Sequence, residues 1–151
     1  MAERRITQQD LQRMALTIQQ LENQASLLQQ QLNYLGELMA GTQASRSAVE
    51  ELKGAEPGQE IILPIGNSAF VRAHVDDPRK VLLAISPEVL VERDADDAAR
   101  FLEEIARTHE ANFKKLSEQF GKVQEQLQEV RPYFEAALRA AQQQQGGPGG
   151  Q

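Results

Sequence analysis

Apolar residues recur along two segments of the chain in alternating steps of three and four residues. The first series runs from Leu11 to Met39, and the second runs from Leu102 to Ala137. Such steps average ~3.5 residues, the period that keeps one stripe of side chains facing a partner when two helices supercoil. Each segment is therefore predicted to form a long helix with a narrow apolar seam.

The two seams mirror each other. When residues whose numbers sum to 148 are placed opposite each other, Leu21 meets Leu127 and Leu28 meets Phe120. A slip of one heptad would preserve the match, so the pattern leaves the register open by sevens, and the ends of the two segments favour this one. The chain is predicted to fold back into an antiparallel coiled-coil hairpin.

Between residues 60 and 94 the period of the pattern changes from helical to strand-like. Short runs rich in β-branched residues are separated by turn formers, which predicts two successive β-hairpins. The predicted strands are Glu60–Ile65, Ala69–Val75, Lys80–Ile85 and Val89–Arg93. The predicted fold class is α+β, a long antiparallel α-helical coiled-coil hairpin joined by two β-hairpins.

Three of the four strand runs are apolar on both faces. About 35 residues cannot cover both faces of their own strands, and short hairpins leave open edges. We therefore expect the hairpins to form an assembly interface, in which other subunits complete an oligomeric β-barrel. The residues assigned to this interface are Ile61, Ile62, Leu63, Ile65, Phe70, Val71, Val81, Leu82, Leu83, Val89, Leu90 and Val91.

Breaks in the pattern divide the chain into four segments. They are an N-terminal coiled-coil helix over residues 1–53, the two β-hairpins over 54–94, a second coiled-coil helix over 95–141 and a disordered Gln- and Gly-rich tail over 142–151.

Thr7 and Asp10 resemble a capping box at the start of the first helix. Gly36 and Gly41 predict a bend, a close backbone approach or a locally weaker helix. Pro132 predicts a kink or a break in the second helix.

Composition and charge exclude most kinds of chemistry. The chain has no cysteine, and its two histidines, His74 and His109, fall on different predicted segments without neighbouring ligands. It has no phosphate loop and no nucleophile elbow, so we expect no enzyme, no metal and no cofactor. The net charge of −6, with scattered Lys and Arg, argues against nucleic-acid binding. No apolar run approaches ~18 residues, so we expect no membrane span and a cytoplasmic protein.

Apolar residues continue to the end of the coil where no loop joins the two helices. Exposed apolar patches usually mark interaction sites, but the same side chains could simply close the coil, and the pattern allows both interpretations. The candidate binding residues are Leu11, Met14, Leu16, Ile18, Leu21, Val130, Tyr133, Phe134 and Leu138. Leu16, Tyr133 and Leu138 lie off the paired positions, so we expect them to be accessible even in a closed coil.

The strand region combines an apolar strand, a Pro, a Gly turn and a Phe-Val pair in a specific order. The residues that carry the pattern are Pro64, Gly66, Phe70, Val71, Lys80, Val81, Val91 and Glu92, followed by Asp97-Ala98-Ala99. This pattern, with the order helix, two hairpins, helix, resembles the alpha-class subunits of prefoldin over nearly the whole chain. Beta-class subunits have two strands instead of four. The chain departs from the family at Ala84–Glu88, where a Gly-rich turn is usual, and we expect a turn built around Pro87.

The resemblance implies a hexamer of two alpha-class and four beta-class subunits in the cytoplasm. It further implies an ATP-independent chaperone, or holdase, that captures unfolded client proteins at its coil tips and delivers them to a group II chaperonin. The alternative is a structural coiled-coil scaffold or an adaptor subunit without holdase activity. A scaffold is expected to tolerate polar substitutions at the coil tips, whereas a holdase is not.

Overall fold

The computed structural model describes residues 5–146, which form two long helices with four short strands between them in the sequence. The elements are α1 Gln8–Lys53, β1 Glu60–Ile65, β2 Ala69–His74, β3 Lys80–Ser86, β4 Val89–Asp94 and α2 Ala95–Gln145. Each strand begins at its predicted residue and ends within one residue of its predicted end. The predicted fold class is confirmed.

The chain divides into two compact units, which we name the coil unit and the hairpin unit. The coil unit contains the described residues of Met1–Leu35 and Asn112–Gln151, and the hairpin unit contains Gly36–Ala111. Segments from both long helices therefore contribute to each unit. The coil unit is helical over residues 8–35 and 112–145, and all four strands belong to the hairpin unit.

In the coil unit the two helices pack along the predicted seam. Ala25, Leu28, Val123 and Leu127 form one buried cluster, in line with the register that places Ala25 opposite Val123. The partly buried side chains that pack against this cluster are Ile18, Leu21, Leu116 and Phe120. Each fully buried Leu or Val side chain contributes roughly 1.5–3 kcal/mol relative to an exposed one, so this cluster stabilises the helix pair.

The start of α1 is fixed by the predicted capping box. The hydroxyl of Thr7 accepts a hydrogen bond of 3.1 Å from the backbone N–H of Asp10. In return, the carboxylate of Asp10 accepts one of 2.9 Å from the backbone N–H of Thr7. The box satisfies two of the donors that have no partner within the helix, and it is confirmed.

The second helix continues through Pro132, so the predicted break does not occur. Pro132 has no N–H, and the carbonyl of Gln128 therefore lacks its usual helical donor. The helix extends to Gln145, four residues beyond its predicted end at Ala141. Gln favours helix, and Gly146 is the first residue that disfavours it. The predicted disorder at residues 147–151 lies outside the described residues.

The hairpin unit contains two separate antiparallel two-stranded sheets. In the first, β1 pairs with β2 from Glu60 opposite His74 to Ile65 opposite Ala69. Gly66 begins the connecting turn with a φ of 75°, a conformation that glycine adopts without strain. Each sheet has two open edges in the single chain.

The second sheet contains a β-bulge that follows from the unusual turn. Its pairs run from Lys80 opposite Asp94 to Ala84 opposite Leu90, and then Ser86 pairs with Val89, so Ile85 is an extra residue. The ring of Pro87 fixes its φ at the value found in type I and type II β-turns. The twist of those turns does not match the twist of the two strands that a two-residue loop connects. A bulge increases the local twist and so reconciles this turn with the strands.

One face of the second sheet packs against the helices of the hairpin unit. Leu83 lies in a buried cluster with Val49 of α1 and Ala98 and Leu102 of α2, and Val81 packs against it. Leu83 and Val81 were predicted to contact other subunits. The buried Leu83 instead belongs to the core of its own chain, because strand alternation does not reveal which of two apolar faces is covered internally.

Gly36 and Gly41 do not mark a close backbone approach. A Cβ atom placed on either residue would meet nothing within 4 Å outside the local helix. Of the three expectations for these positions, the close approach is wrong. Each glycine weakens the helix by roughly 1 kcal/mol relative to alanine.

Candidate interaction surfaces

The coil unit carries an apolar groove near the start of α1 and the latter part of α2, which we name the terminal groove. It has a volume of about 340 Å³ and a mostly apolar wall. Its lining residues are Arg13, Met14, Thr17, Glu129, Val130 and Tyr133. A space of this size fits one large apolar side chain of a bound polypeptide.

The local structure of the two helices shapes this groove. The Thr17 hydroxyl donates a 2.9 Å hydrogen bond to the Arg13 carbonyl. That bond satisfies the polar atom of Thr17 within its own helix. On α2, Tyr133 follows Pro132 directly and keeps 63 % of its surface exposed. The groove therefore has a half-buried methionine at its base and an exposed aromatic ring at its rim.

A second groove of about 400 Å³ adjoins the first. It shares Arg13, Met14 and Tyr133 with the terminal groove and adds Ile6 and Asp10. The capping box positions Asp10, and Ile6 precedes the N-cap residue, where apolar side chains commonly pack back onto the first turn. Met14 and Tyr133 therefore contribute to two adjoining grooves, of which the terminal groove is the more apolar.

Only some of the predicted binding residues meet in these grooves. Met14, Val130 and Tyr133 are brought together, whereas Ile18 and Leu21 pack against the buried cluster of the coil. The predicted residues that line neither groove are Leu11, Leu16, Ile18, Leu21, Phe134 and Leu138. Leu16, Tyr133 and Leu138 are exposed, as expected from their positions off the seam. Sequence reasoning missed Asp10, Arg13, Thr17 and Glu129, because an apolar pattern does not identify the polar residues that line a groove. It also missed Ile6, because this residue precedes α1 and lies outside the periodic series that begins at Leu11.

Charges at the terminal groove are few and balanced. Arg13 and Glu129 line it from opposite helices, and neither forms an ion pair with another of residues 5–146. Beside them, Arg131 pairs with Glu22 at 2.7 Å across the two helices. The groove thus combines an apolar wall with one cation and one anion at its rim, which suits polypeptides of mixed sequence.

The first hairpin exposes large apolar side chains on both faces. Ile62, Ile65 and Phe70 are each more than half exposed, and Leu63 and Val71 are nearly half exposed. A two-stranded sheet cannot shield either of its own faces from water, and an isolated two-stranded hairpin is only marginally stable. An exposed apolar surface of this kind indicates contact with another chain.

The second hairpin has one covered face and one exposed face. Leu82 and Leu90 are exposed on the side opposite Leu83, and Val89 is exposed near the turn. The bulge adds Ile85, which is 58 % exposed and was absent from the predicted interface. The turn residues Pro87 and Glu88 could have indicated this addition, because their chemistry requires a bulge in the adjoining strand.

The hairpin unit contains one ion pair within the second hairpin and others that join its two helix segments. Lys80 donates a hydrogen bond of 2.8 Å to Asp94 across the strand pair. This hydrogen bond raises the pKa of Lys80 and lowers the pKa of Asp94 from their ordinary values. Lys53 lies 3.0 Å from Asp96 and 3.1 Å from Glu50. Hydrogen bonds to Asp96 and then Glu50 raise the pKa of Lys53.

Residues 5–146 contain no group of His, Asp and Glu side chains that could hold a metal ion. No helix in this part of the chain is long and apolar enough to cross a membrane. The candidate interaction surfaces are therefore the grooves of the coil unit and the exposed apolar faces of the two hairpins.

Comparison with known proteins identifies the family. The family model described as "Prefoldin subunit" matches residues 6–145. The chain is 33 % identical over 144 residues to "Prefoldin subunit alpha" of Methanoculleus marisnigri, covering 93 % of this chain and 94 % of that protein. It is 31 % identical over 130 residues to "Prefoldin subunit alpha" of Pyrococcus horikoshii, covering 81 % and 88 %.

Solved structures show the same fold. A filamentous PFD from Methanocaldococcus jannaschii, determined by cryo-electron microscopy, matches with a TM-score of 0.64 and 16 % identity, over 76 % of this chain and 95 % of that one. The prefoldin beta subunit from Thermococcus strain KS-1 matches with a TM-score of 0.58 and 20 % identity, over 91 % and 98 %. With two long helices that flank two β-hairpins in the sequence and a family match over nearly its full length, this chain belongs to the prefoldin subunit family, which is a family of chaperones and not of enzymes.

Proposed function

We propose that the chain is an alpha-class prefoldin subunit that acts as an ATP-independent holdase and captures unfolded polypeptides at the terminal groove. The observation that carries this proposal is the meeting of Met14, Val130 and the exposed Tyr133 in one apolar groove. Methionine is unbranched and polarizable, and it adapts to side chains of many shapes. Tyr133 offers a rigid ring whose two torsion angles lose little entropy on binding.

The same groove accounts for weak but broad binding. A single side chain placed in about 340 Å³ gives a low affinity by itself. Several grooves in one assembly would act on the same unfolded chain, and the effective concentration of the second groove then raises the overall affinity. Binding the unfolded state shields it from aggregation and needs no chemical energy.

The hairpin unit is proposed to hold the subunits together. The exposed apolar faces and open edges of both hairpins support contact with other subunits. The family resemblance implies the proposed stoichiometry, a hexamer of two alpha-class and four beta-class subunits whose strands together form a closed β-barrel body. The residues that remain available for this contact include Ile62, Phe70, Leu82 and Leu90, with Ile85 in addition. We further propose a cytoplasmic location and delivery of clients to a group II chaperonin, as the family resemblance implies.

An aggregation assay on the assembled complex tests the capture proposal. Replacing Met14 and Tyr133 by serine should reduce the suppression of client aggregation, because both residues line the two adjoining grooves. Tyr34→Ser is a matched control, since Tyr34 and Tyr133 are the chain's two tyrosines and each is 63 % exposed. Suppression that survives Met14→Ser with Tyr133→Ser would favour the scaffold alternative, in which the coil is only a spacer.

Mass measurement tests the assembly proposal separately. Mixing the chain with a beta-class subunit should give a single hexameric species. Phe70→Ser and Leu90→Ser should shift it toward smaller species, because both side chains are exposed in the single chain and would be covered in the complex. A wild-type mixture that stays monomeric would contradict this part of the proposal.

A further inference from the structure

The two adjoining grooves of the coil unit share a common wall. Arg13, Met14 and Tyr133 line both the terminal groove and the second groove, which we name the N-cap groove. On α1, Thr17 lines only the terminal groove, and Asp10 lines only the N-cap groove. The two grooves therefore lie next to each other along α1, one on either side of the shared wall.

The positions of these residues on α1 set the distance between the grooves. Asp10 and Thr17 mark the two far ends, which lie about 10 Å apart at 1.5 Å per residue. When each groove centre is placed midway between the shared wall and its far end, the two centres lie about 5 Å apart. The grooves have volumes of about 340 and 400 Å³, and each has room for one large side chain. Together they accept two side chains roughly 5–10 Å apart.

Polar side chains at the grooves favour an extended bound chain over a helical one. Arg13 lines both grooves and Glu129 lines the terminal groove, and neither forms an ion pair with another of residues 5–146. The guanidinium donates hydrogen bonds and the carboxylate accepts them. An extended chain offers backbone C=O and N–H groups to both. A helix would place side chains i and i+4 about 6 Å apart, but its interior backbone groups are already bonded to one another.

We propose that the two grooves together bind an extended client segment in which one residue separates two large apolar side chains. This inference rests on the proposed function and names the class of segment that the site takes. In an extended chain, side chains i and i+2 point to the same face about 6.6 Å apart, which fits the two grooves. Adjacent side chains point to opposite faces, and side chains i and i+4 lie about 13 Å apart, beyond the far ends of the grooves.

The residue between the two apolar side chains lies against the shared wall with its own side chain pointing away. Arg13 donates to the backbone carbonyl there, and the outward side chain is free to be polar. Apolar and polar residues that alternate in this way are the pattern of a half-buried β-strand. Strands whose edges are exposed are also the segments that pair with other chains and aggregate. The grooves thus select segments whose exposure makes an unfolded protein aggregate.

Short peptides that differ only in the spacing of two leucines test the proposal on the assembled complex. Three peptides of equal composition carry the leucines next to each other, separated by one residue, or separated by three residues. Each has a photoreactive group at one end, and the yield of its cross-link to the coil unit of this chain is measured over a range of concentrations. The peptide with one intervening residue should reach half-maximal yield at an about three- to tenfold lower concentration, because only this peptide places a leucine in each groove.

Arg13→Leu separates the backbone hydrogen bond from general apolar contact. The change adds apolar surface to both grooves, so apolar contact alone would strengthen peptide binding. Loss of the donated hydrogen bond should instead weaken binding of the favoured peptide by about three- to tenfold. Arg139→Leu is the matched control, since Arg139 lines neither groove, and it should leave binding unchanged.

Several results would overturn the inference. They are equal cross-linking by the three peptides, no cross-linking by any of them, stronger cross-linking by a helix-forming peptide with leucines at i and i+4, and unchanged or tighter binding by Arg13→Leu. The proposed function is judged by a different measurement, the suppression of client aggregation. If Met14→Ser with Tyr133→Ser abolishes suppression while the three peptides react equally, capture at the grooves stands and only the spacing is wrong. If suppression survives that double change, both the capture and the spacing are wrong.

Discussion

Arg131 donates a 2.7 Å hydrogen bond to the carboxylate of Glu22, and this ion pair joins the two helices of the coil unit next to Pro132. Both side chains are about half exposed, so solvent and salt screen the attraction. Arg131→Gln should lower the free energy of unfolding by about 0.2–1 kcal/mol, and high salt should remove the difference. Urea unfolding at two salt concentrations measures it. Arg139→Gln, which breaks no ion pair among residues 5–146, is the control.

The buried seam contributes far more to stability than the ion pair does. Leu127 is 2 % exposed and lies in the central cluster of the coil unit. Leu127→Ala should lower the free energy of unfolding by about 2–5 kcal/mol, because it removes apolar contacts and leaves a cavity. Leu16→Ala provides the comparison, since Leu16 is exposed, and it should change the free energy by less than about 0.5 kcal/mol. Equal effects in urea unfolding would contradict the observed packing of the seam.

Pro132 weakens α2 without ending it. Pro132→Ala restores the N–H that the carbonyl of Gln128 lacks, and proline in a helix interior is about 3 kcal/mol less favourable than alanine. The variant should slow amide hydrogen exchange around Gln128–Phe134 and should leave exchange around Ala25 unchanged. Unchanged exchange around Gln128 would show that solvent or local distortion already offsets the missing bond.

The pair of Lys80 and Asp94 predicts how stability depends on pH. The hydrogen bond lowers the pKa of Asp94 below 3.8, so its contribution is present above that value and is lost as the pH falls through the lowered pKa. The same bond raises the pKa of Lys80 above 10.5, so its contribution is present below that value and is lost as the pH rises through the raised pKa. Both partners are therefore charged across the range between these values.

Asp94→Asn tests this dependence through the melting temperature of the protein. The difference between the wild type and the variant should be constant from about pH 5 to pH 9 and should shrink outside that range. Asp76→Asn is the control, since Asp76 forms no ion pair among the described residues. A difference that grows as the pH falls below 4 would contradict the assigned direction of the Asp94 pKa.

The helices and strands could be predicted from spacing alone, because each buried face imposes its own period on the sequence. The seam from Leu11 to Met39 and the runs between Glu60 and Arg93 are of this kind. The capping box could also be predicted, because Thr7 and Asp10 are local partners whose geometry depends only on the first turn of α1.

Other features depended on information that spacing does not contain. Leu83 and Leu82 are equally apolar, and only the position of the helices decides that Leu83 is buried. Ile85 is exposed because the turn at Pro87 requires a bulge, which breaks the alternation of the strand. The terminal groove includes Arg13 and Glu129 because two helices bring them together, and no apolar pattern marks a polar residue at a groove rim.

A photoreactive side chain placed at position 133 tests the central claim most directly. It should cross-link to an unfolded client in the assembled complex, because Tyr133 lies at the rim of the terminal groove. The same side chain at position 34 is equally exposed but remote from that groove, and it should give no client cross-link. Client cross-links at position 133 and not at position 34 are the predicted result. Equal cross-linking at both positions, or none at position 133, would contradict capture at the terminal groove.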